Sequence, residues 1–196
     1  MPKLNTLQEF PVLYTKSLIL RKLNEADASS LYNYFSCDSE VSKYCDSFGP
    51  QSIDDAAIAI RNWNEQFVKK RFIRWGITLN DNDEVIGTVS ASTSGKFTYS
   101  PVPSVEIGYD LSRRYWNKGI MTEVVSRVIE FLCDELNVIR IQATAHPQNI
   151  ASKCILKRIG FEEEGLLRLY KYHTGIKEFQ DRIIFSYINT GFKKNW

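Results

Sequence analysis

The chain has 196 residues, of which 43% are hydrophobic and 24% are charged, and its formal net charge is +2. This composition excludes extended disorder, and the length fits one globular domain with a core of ordinary size. The small net charge without a clustered basic run argues against a nucleic-acid partner, and no apolar run is long enough to span a bilayer.

The first predicted strand is "SLILRKL", residues 17–23, which is short, apolar and bounded by polar residues. Asn24 can cap the helix that follows it, because apolar residues recur there at helical spacing at Ala28, Leu31 and Phe35. Residues 36–51 contain turn formers and no long period, which indicates a loop with at most one helical turn.

Ser52 and Asp55 form a capping pattern that predicts the start of a second helix. That helix carries one apolar face, made of Ala56, Ile60, Trp63 and Phe67. The alternating run "FIRWGITLN" predicts a half-buried strand, and "EVIGTVSAS" predicts its hairpin partner. Residues 94–103, rich in Gly, Ser and Pro, indicate a loop.

The clearest strand is "SVEIGYDL", residues 104–111, in which apolar and polar positions alternate strictly. A helix over 122–136 and the strand "VIRIQATA" follow it, so this segment predicts a β-α-β unit with parallel strands. Asn149 caps a further helix that ends at Gly160. Two strands, about 166–172 and 177–188, close the chain.

The predicted order is therefore β-α-α-β-β-β-α-β-α-β-β, an α/β (α+β) fold with a mixed sheet of about seven strands flanked by helices. We find no internal repeat and no linker, so we expect one domain over residues 1–196.

Cysteine and histidine usage indicates a reducing compartment and no metal site. The four cysteines form no C-x-x-C pair, and the two histidines lie far apart. The N-terminus, "MPKLNTLQEFPVLYTK", lacks the apolar core of a signal peptide. We therefore expect a cytoplasmic protein that has no membrane partner and binds no metal.

The stretch "RRYWNKGIMTE", residues 113–123, lies where a predicted strand passes into a predicted helix. The first turn of a helix offers free backbone N–H groups and the positive end of the helix dipole, and a glycine lets a ligand approach closely. This turn could bind a phosphate, or it could be a solvated connection that needs Gly119 only for its geometry. It matches neither the P-loop pattern nor the G-x-G-x-x-G pattern.

Five segments in the same order resemble the GNAT superfamily of N-acetyltransferases, in particular its RimJ/RimL-type branch, over about residues 15–190. They are "TKSLILRKLNEADASSLYNYF", "EVIGTVS", "EIGYDLSRRYWNKGIMTE", "HPQNIASKCILKRIGFEEEG" and "GIKEFQDRIIFSYI". The superfamily's phosphate loop is usually [QR]-x-x-G-x-[GA]. Trp116, Gly119 and Met121 take its three defined places here.

The resemblance implies the GNAT fold and direct transfer of an acetyl group from acetyl-CoA to an amine. It implies that the pantetheine arm pairs with Tyr109 to Leu111, whose backbone N–H groups also suit an oxyanion, and that Asn149 bonds to the same arm. The residues that it assigns to the pyrophosphate loop are Trp116, Asn117, Lys118, Gly119, Ile120, Met121 and Thr122.

The resemblance also implies two catalytic residues. Glu106 would be the base that deprotonates the amine, and Ser152 would contact the cofactor and protonate the departing thiolate. Each has a simpler alternative, a solvated strand glutamate and a capping serine. Tyr170 is a second candidate for the acid, whereas His146 and Cys154 are expected to be structural.

The acceptor is expected between loop 36–51 and the hairpin "YKYHTGIKEF", where Asp38, Glu40 and Asp46 could attract an amine. The favoured acceptor is the α-amine of a protein or peptide N-terminus, as in ribosomal-protein acetyltransferases. A small amine such as a polyamine or a drug, or acyl-CoA binding without turnover, remain alternatives. A homodimer is compatible with the sequence, which does not determine the oligomeric state.

Overall fold

The structure is a computed structural model that describes residues 7–93 and 104–192, and eight strands of those residues form one mixed sheet. The spatial order is β1-β2-β3-β4-β5-β6-β8-β7. The strands are β1 (Leu13–Tyr14), β2 (Leu18–Lys22), β3 (Phe72–Leu79), β4 (Asn82–Thr93), β5 (Ser104–Leu111), β6 (Arg140–Ala145), β7 (Glu162–His173) and β8 (Glu178–Ile188).

Strands β5 and β6 are parallel, and the other neighbouring pairs in this sheet of described residues are antiparallel. This confirms the predicted β-α-β unit and the mixed sheet. The predicted count of about seven strands missed the two-residue strand β1, and β7 begins four residues before its predicted start. The loop predicted over 94–103 lies outside the described residues.

The helices are α1 (Ala28–Leu31), α2 (Ser39–Ser42), α3 (Ile53–Val68), α4 (Ile120–Glu130) and α5 (Ile150–Arg158). The predicted caps are present, since Ser52 Oγ accepts the Asp55 N–H and Asn149 Oδ1 accepts the Ser152 N–H. Asn24 caps a short 3-10 turn that leads into α1. The helix predicted over 122–136 begins earlier, at Ile120, and changes to a π-helical turn at Phe131.

Two apolar clusters lie on the sheet. The larger joins the strands to α4 and α5, and the smaller joins α1 and α3 to the sheet through Leu23 and Val85. The pairing register shows which residues lie on the same face of the sheet, because residues directly opposite each other on neighbouring strands share a face. Trp75, Val89 and Tyr109 form one row on the side of the larger cluster, and Arg74, Ser90 and Gly108 form a row on the other side.

A buried ion pair holds the start of α1 against β2. The Arg21 guanidinium makes two parallel bonds to the Asp27 carboxylate, of 2.9 and 2.8 Å, and their side chains are only 16% and 9% exposed. The hydrogen bonds that the guanidinium donates to Asp27 are the main cause of the raised Arg21 pKa. None of the helices in the described part of the chain is both long enough and apolar enough to cross a bilayer.

Arg21→Met should lower the free energy of unfolding by about 3 kcal/mol, because it leaves the Asp27 carboxylate buried without its cation. The matched control is Arg61→Met, whose ion pair with Glu25 is 50% and 60% exposed. That change should cost less than about 1 kcal/mol. Urea unfolding measures both values, and equal losses in the two variants would show that burial of the Arg21 pair does not matter.

Candidate active site

Strands β5 and β6 pair for only three residues and then separate. The paired residues are Ser104 to Glu106, opposite Arg140 to Gln142. From residue 107 to residue 111, β5 is paired with β4 on one side and faces a cavity of about 940 Å³ on the other. The cavity also reaches the start of α4, the start of α5 and loop 36–51.

The separated edge of β5 points alternate backbone groups into the cavity. The Leu111 carbonyl accepts the Trp116 indole N–H at 2.8 Å on the cavity side, whereas the next residue, Ser112, donates its N–H to the Ile86 carbonyl of β4. Because these directions alternate along a strand, the N–H groups of Tyr109 and Leu111 point away from β4. An extended polar ligand could therefore pair with β5 as an additional strand.

The turn before α4 has the geometry of an anion site. Gly119, at the N-cap, has φ +76°, and a Cβ added there would meet no atom within 4 Å, so the turn faces open space. The first N–H groups of α4 have no acceptor within the helix, and a glycine supplies no capping side chain. Met121 is only 5% exposed and belongs to the larger core cluster, so its bulk does not fill the turn.

The cavity also contains a pair of hydroxyl groups. The Tyr109 hydroxyl lies 2.9 Å from Ser152 Oγ, and burial raises the pKa of Tyr109 to about 12. Asn149 Oδ1 is occupied by the Ser152 N–H, so its NH₂ group is the part left to donate to a ligand. The residues that the sequence assigned to the cofactor, from Tyr109 to Thr122 and at Asn149 and Ser152, thus lie around one cavity.

Glu106 and Tyr170 are not among the residues that line this cavity. Glu106 shares a face of β5 with Gly108 and Asp110, both of which line it, and Glu106 Oε1 lies 3.6 Å from Lys171 Nζ. Tyr170 is 43% exposed on β7. Of the two candidate acids, the structure therefore brings Ser152 to the cavity and leaves Tyr170 outside.

His146 and Cys154 line the cavity at the side of β6 and α5. The imidazole stacks on Tyr44 with ring centroids 5.1 Å apart, and its Nδ1 accepts the Gln148 N–H. Burial and, second, the positive charge of Arg182 lower the His146 pKa. These contacts agree with a structural role, in which a neutral ring supports loop 36–51.

Loop 36–51 and the β7–β8 hairpin meet at this cavity, as the sequence predicted for the acceptor side. Asp46 binds Arg182 at 2.8 Å, and its carbonyl accepts the Thr174 N–H. The other two acidic residues of the loop also have cations nearby, since Lys43 lies 3.4 Å from Glu40 and Arg113 lies 3.9 Å from Asp38. The loop therefore does not present the free negative charge that was expected to attract an amine.

Sequence reasoning missed a half-buried, hydrogen-bonded carboxylate that lines the cavity. Asp110 accepts hydrogen bonds from the Tyr34 hydroxyl at 2.7 Å and from the Thr88 hydroxyl at 2.6 Å. Burial and the negative charge of Asp110 raise the Tyr34 pKa. This network ties the helical segment after α1 to β4 and β5. The only signal in the sequence was the position of Asp110 on the polar side of β5, next to Leu111.

Among residues 7–93 and 104–192, no three side chains of His, Cys, Asp or Glu are grouped so that they could hold a metal ion. The donor set suits a different ligand. A free strand edge, an open glycine turn with unpaired N–H groups and a cluster of hydroxyl and amide groups fit an elongated molecule that has amide groups and a pyrophosphate. CoA has this chemistry.

Comparison with known proteins identifies relatives over most of the chain. Residues 17–162 match the family model described as the acetyltransferase (GNAT) domain. The uncharacterised N-acetyltransferase YoaA of Bacillus subtilis is 36% identical over 166 residues, which cover 85% of this chain and 91% of that protein. The ribosomal protein uS5-alanine N-acetyltransferase of Escherichia coli is 24% identical and covers 88% of each.

Among solved structures, the ribosomal-protein-S5-alanine acetyltransferase of Vibrio fischeri superposes with a TM-score of 0.76 at 25% identity. The match covers 94% of this chain and all of the other. The eight-stranded sheet and its order of elements are thus those of a known fold.

Proposed function

The chain belongs to the GNAT family of acetyltransferases, and from this premise we propose that it acetylates the α-amine of a protein or peptide N-terminus. As a family member it is an acetyl-CoA-dependent N-acetyltransferase. The separation of β5 and β6 beside the Gly119 turn is the observation that carries the proposal, because it supplies a slot for the cofactor. The choice of acceptor is supported by relatives named for alanine N-termini of ribosomal proteins.

The cofactor would be bound mainly by backbone groups. The turn from Trp116 to Thr122 would hold the pyrophosphate with its free N–H groups, and the edge of β5 at Tyr109 and Leu111 would pair with the pantetheine arm. The Asn149 NH₂ group would donate to the same arm. Acetyl-CoA would supply the activated acyl group, and this binding mode would bring its carbonyl carbon near the end of the β5–β6 pairing.

The transfer requires two proton movements. The amine nitrogen bonds to the acetyl carbon, the carbon–sulfur bond breaks, and the amine loses a proton while the thiolate gains one. An α-amine with a pKa near 8 is about one-tenth neutral at pH 7, so a base still helps. We propose Glu106 as that base, acting directly or through a water, because it lies on the β5 face that continues into the cavity at Gly108.

We propose Ser152 as the donor to the thiolate. Its hydroxyl lies within hydrogen-bond distance of the Tyr109 hydroxyl, at 2.9 Å. The Tyr109 hydroxyl could return a proton to Ser152 and then regain one from solvent. This arrangement supports turnover and not mere storage of an acyl-CoA.

A small amine is the second candidate acceptor. Polyamines bind where several free carboxylates converge, and the three acidic residues of loop 36–51 are each close to a cation. Release of CoA thiol should therefore be faster with alanyl peptides than with spermidine at equal concentration. Greater activity on spermidine would overturn the proposed acceptor, and no release with any amine would overturn the proposed transfer.

Glu106→Gln should lower kcat about a hundredfold and leave CoA affinity unchanged, because the general base is lost while the cofactor slot is intact. The matched control is Lys171→Met, which removes the same ion pair but keeps the carboxylate. Steady-state kinetics with calorimetry measures both. A similar loss of kcat in the control would show that the ion pair, and not the base, is what matters.

Ser152→Ala should lower kcat about tenfold with little change in the acceptor KM, because only departure of the thiolate is slowed. An acetyl thioester whose thiol has a lower pKa should restore part of the rate. Tyr109→Phe removes only the neighbouring hydroxyl and should give a smaller loss of the same kind. A raised acceptor KM with kcat intact would instead make Ser152 a binding group.

A further inference from the structure

On the side of the cavity near α3 and loop 36–51, Arg74 is a cation that has no hydrogen-bond or carboxylate partner among the described residues. Arg74, on β3, lines the cavity, and its guanidinium lies 4.2 Å from the centroid of the Trp63 ring and 5.4 Å from that of Phe72. The Trp63 ring on α3 and the Phe72 ring on β3 therefore contact the guanidinium from two directions. Nothing in the proposed transfer uses this residue.

The Arg74 charge is not compensated by a bound carboxylate. Its Nε is buried and has no hydrogen-bond partner, and no carboxylate within the described ranges lies within 4.0 Å of the guanidinium. A buried donor without a partner costs free energy, so the site favours a ligand that supplies an acceptor.

The other two cations that line the cavity beside loop 36–51 have partners, whereas Lys118 and Arg158 line it on the cofactor side, before α4 and on α5. Arg182 binds Asp46 and Gln180, and Lys43 lies near Glu40. Asp110, a half-buried carboxylate that also lines the cavity, already accepts hydrogen bonds from Tyr34 and Thr88. On this side of the cavity, among the described residues, Arg74 is therefore the cation that is free to bind an anion.

Arg74 lies on the same face of the sheet as the proposed base, Glu106. Arg74 is opposite Ser90, and Ser90 is opposite Gly108, so the three share one face of the sheet. Two strand spacings separate Arg74 from Gly108, which is roughly 10 Å between Cα atoms. Glu106, the proposed base, lies two residues before Gly108 on the same face. An acceptor whose amine lies near Glu106 could thus contact Arg74 through a second group that is a few bonds away from the amine.

We infer that Arg74 binds a carboxylate of the acceptor, so that the substrate is an amine that also carries a carboxylate. The carboxylate could be that of a free amino acid or an acidic side chain near a peptide N-terminus. A guanidinium binds a carboxylate through two parallel hydrogen bonds, and the flanking rings keep its plane in place before binding. The inference rests on the proposed acetyl transfer and narrows its acceptor.

The test measures binding without turnover, in the presence of saturating CoA. Calorimetry compares aspartyl-alanyl-alaninamide with asparaginyl-alanyl-alaninamide, and alanyl-aspartyl-alaninamide with alanyl-asparaginyl-alaninamide. A third pair, alanine and alaninamide at pH 6.5, where both amines are protonated, represents free amino acids. The wild type should bind the carboxylate member of at least one pair ten times more tightly or better, and the pair that responds identifies the source of the carboxylate.

Arg74→Gln should reduce that preference to less than threefold while leaving the affinity for the amide member unchanged. Arg74→Lys, which keeps the charge without the planar fork, should retain part of it. The control Lys43→Gln changes the cation that is near Glu40 and should keep the full preference. Thermal unfolding shows whether each variant is folded, and Arg74→Lys serves as the test if Arg74→Gln is not.

No preference in any pair for the wild type, or an unchanged preference in the folded Arg74 variant, would overturn the inference. Failure of the proposed acetyl transfer would give a different result. If carboxylate amines bind through Arg74 but no amine releases thiol from acetyl-CoA, the transfer is wrong. If thiol is released equally from both members of each pair, only the role of Arg74 is wrong.

Discussion

The site depends on the separation of two parallel strands. Backbone polar groups that leave a sheet must find other partners, and β5 loses its neighbour on one side after Glu106. The separated edge stays in place because β5 remains paired with β4 and β6 remains paired with β8, and because buried residues of α4 pack beneath them. The fold therefore presents a rigid, unpaired strand edge that ends at an open helix start.

The cavity beside this edge has two chemically different halves. On the side of α5, Tyr109, Asn149 and Ser152 provide hydroxyl and amide groups, and the Gly119 turn provides N–H groups. On the side of α3 and loop 36–51, apolar and aromatic residues line the cavity together with charged residues, and the charged residues of the loop are close to opposite charges. This division suits a cofactor on one side and an acceptor on the other, with β5 between them.

Local patterns predicted much of this structure, whereas contacts between distant residues were not predictable. The alternation in "SVEIGYDL" and the caps at Ser52 and Asn149 depend on near neighbours, and the structure has them. The Tyr109–Ser152 and Tyr34–Asp110 bonds join residues 43 and 76 positions apart, and nothing local selects those partners. The π-helical end of α4 and the short β1 likewise depend on packing, because neither has a distinctive period.

The central claim is that CoA binds where β5 and β6 separate. Hydrogen–deuterium exchange of individual amides, with and without saturating CoA, tests this claim most directly. Binding should slow exchange at Tyr109 and Leu111 and at the start of α4. It should change Gly108 and Asp110 less, because those amides already face β4, and leave the β2–β3 pairing as it was. Slower exchange confined to another surface, such as β7, would contradict this account. Unchanged exchange at the edge of β5 in the presence of saturating CoA would also contradict it.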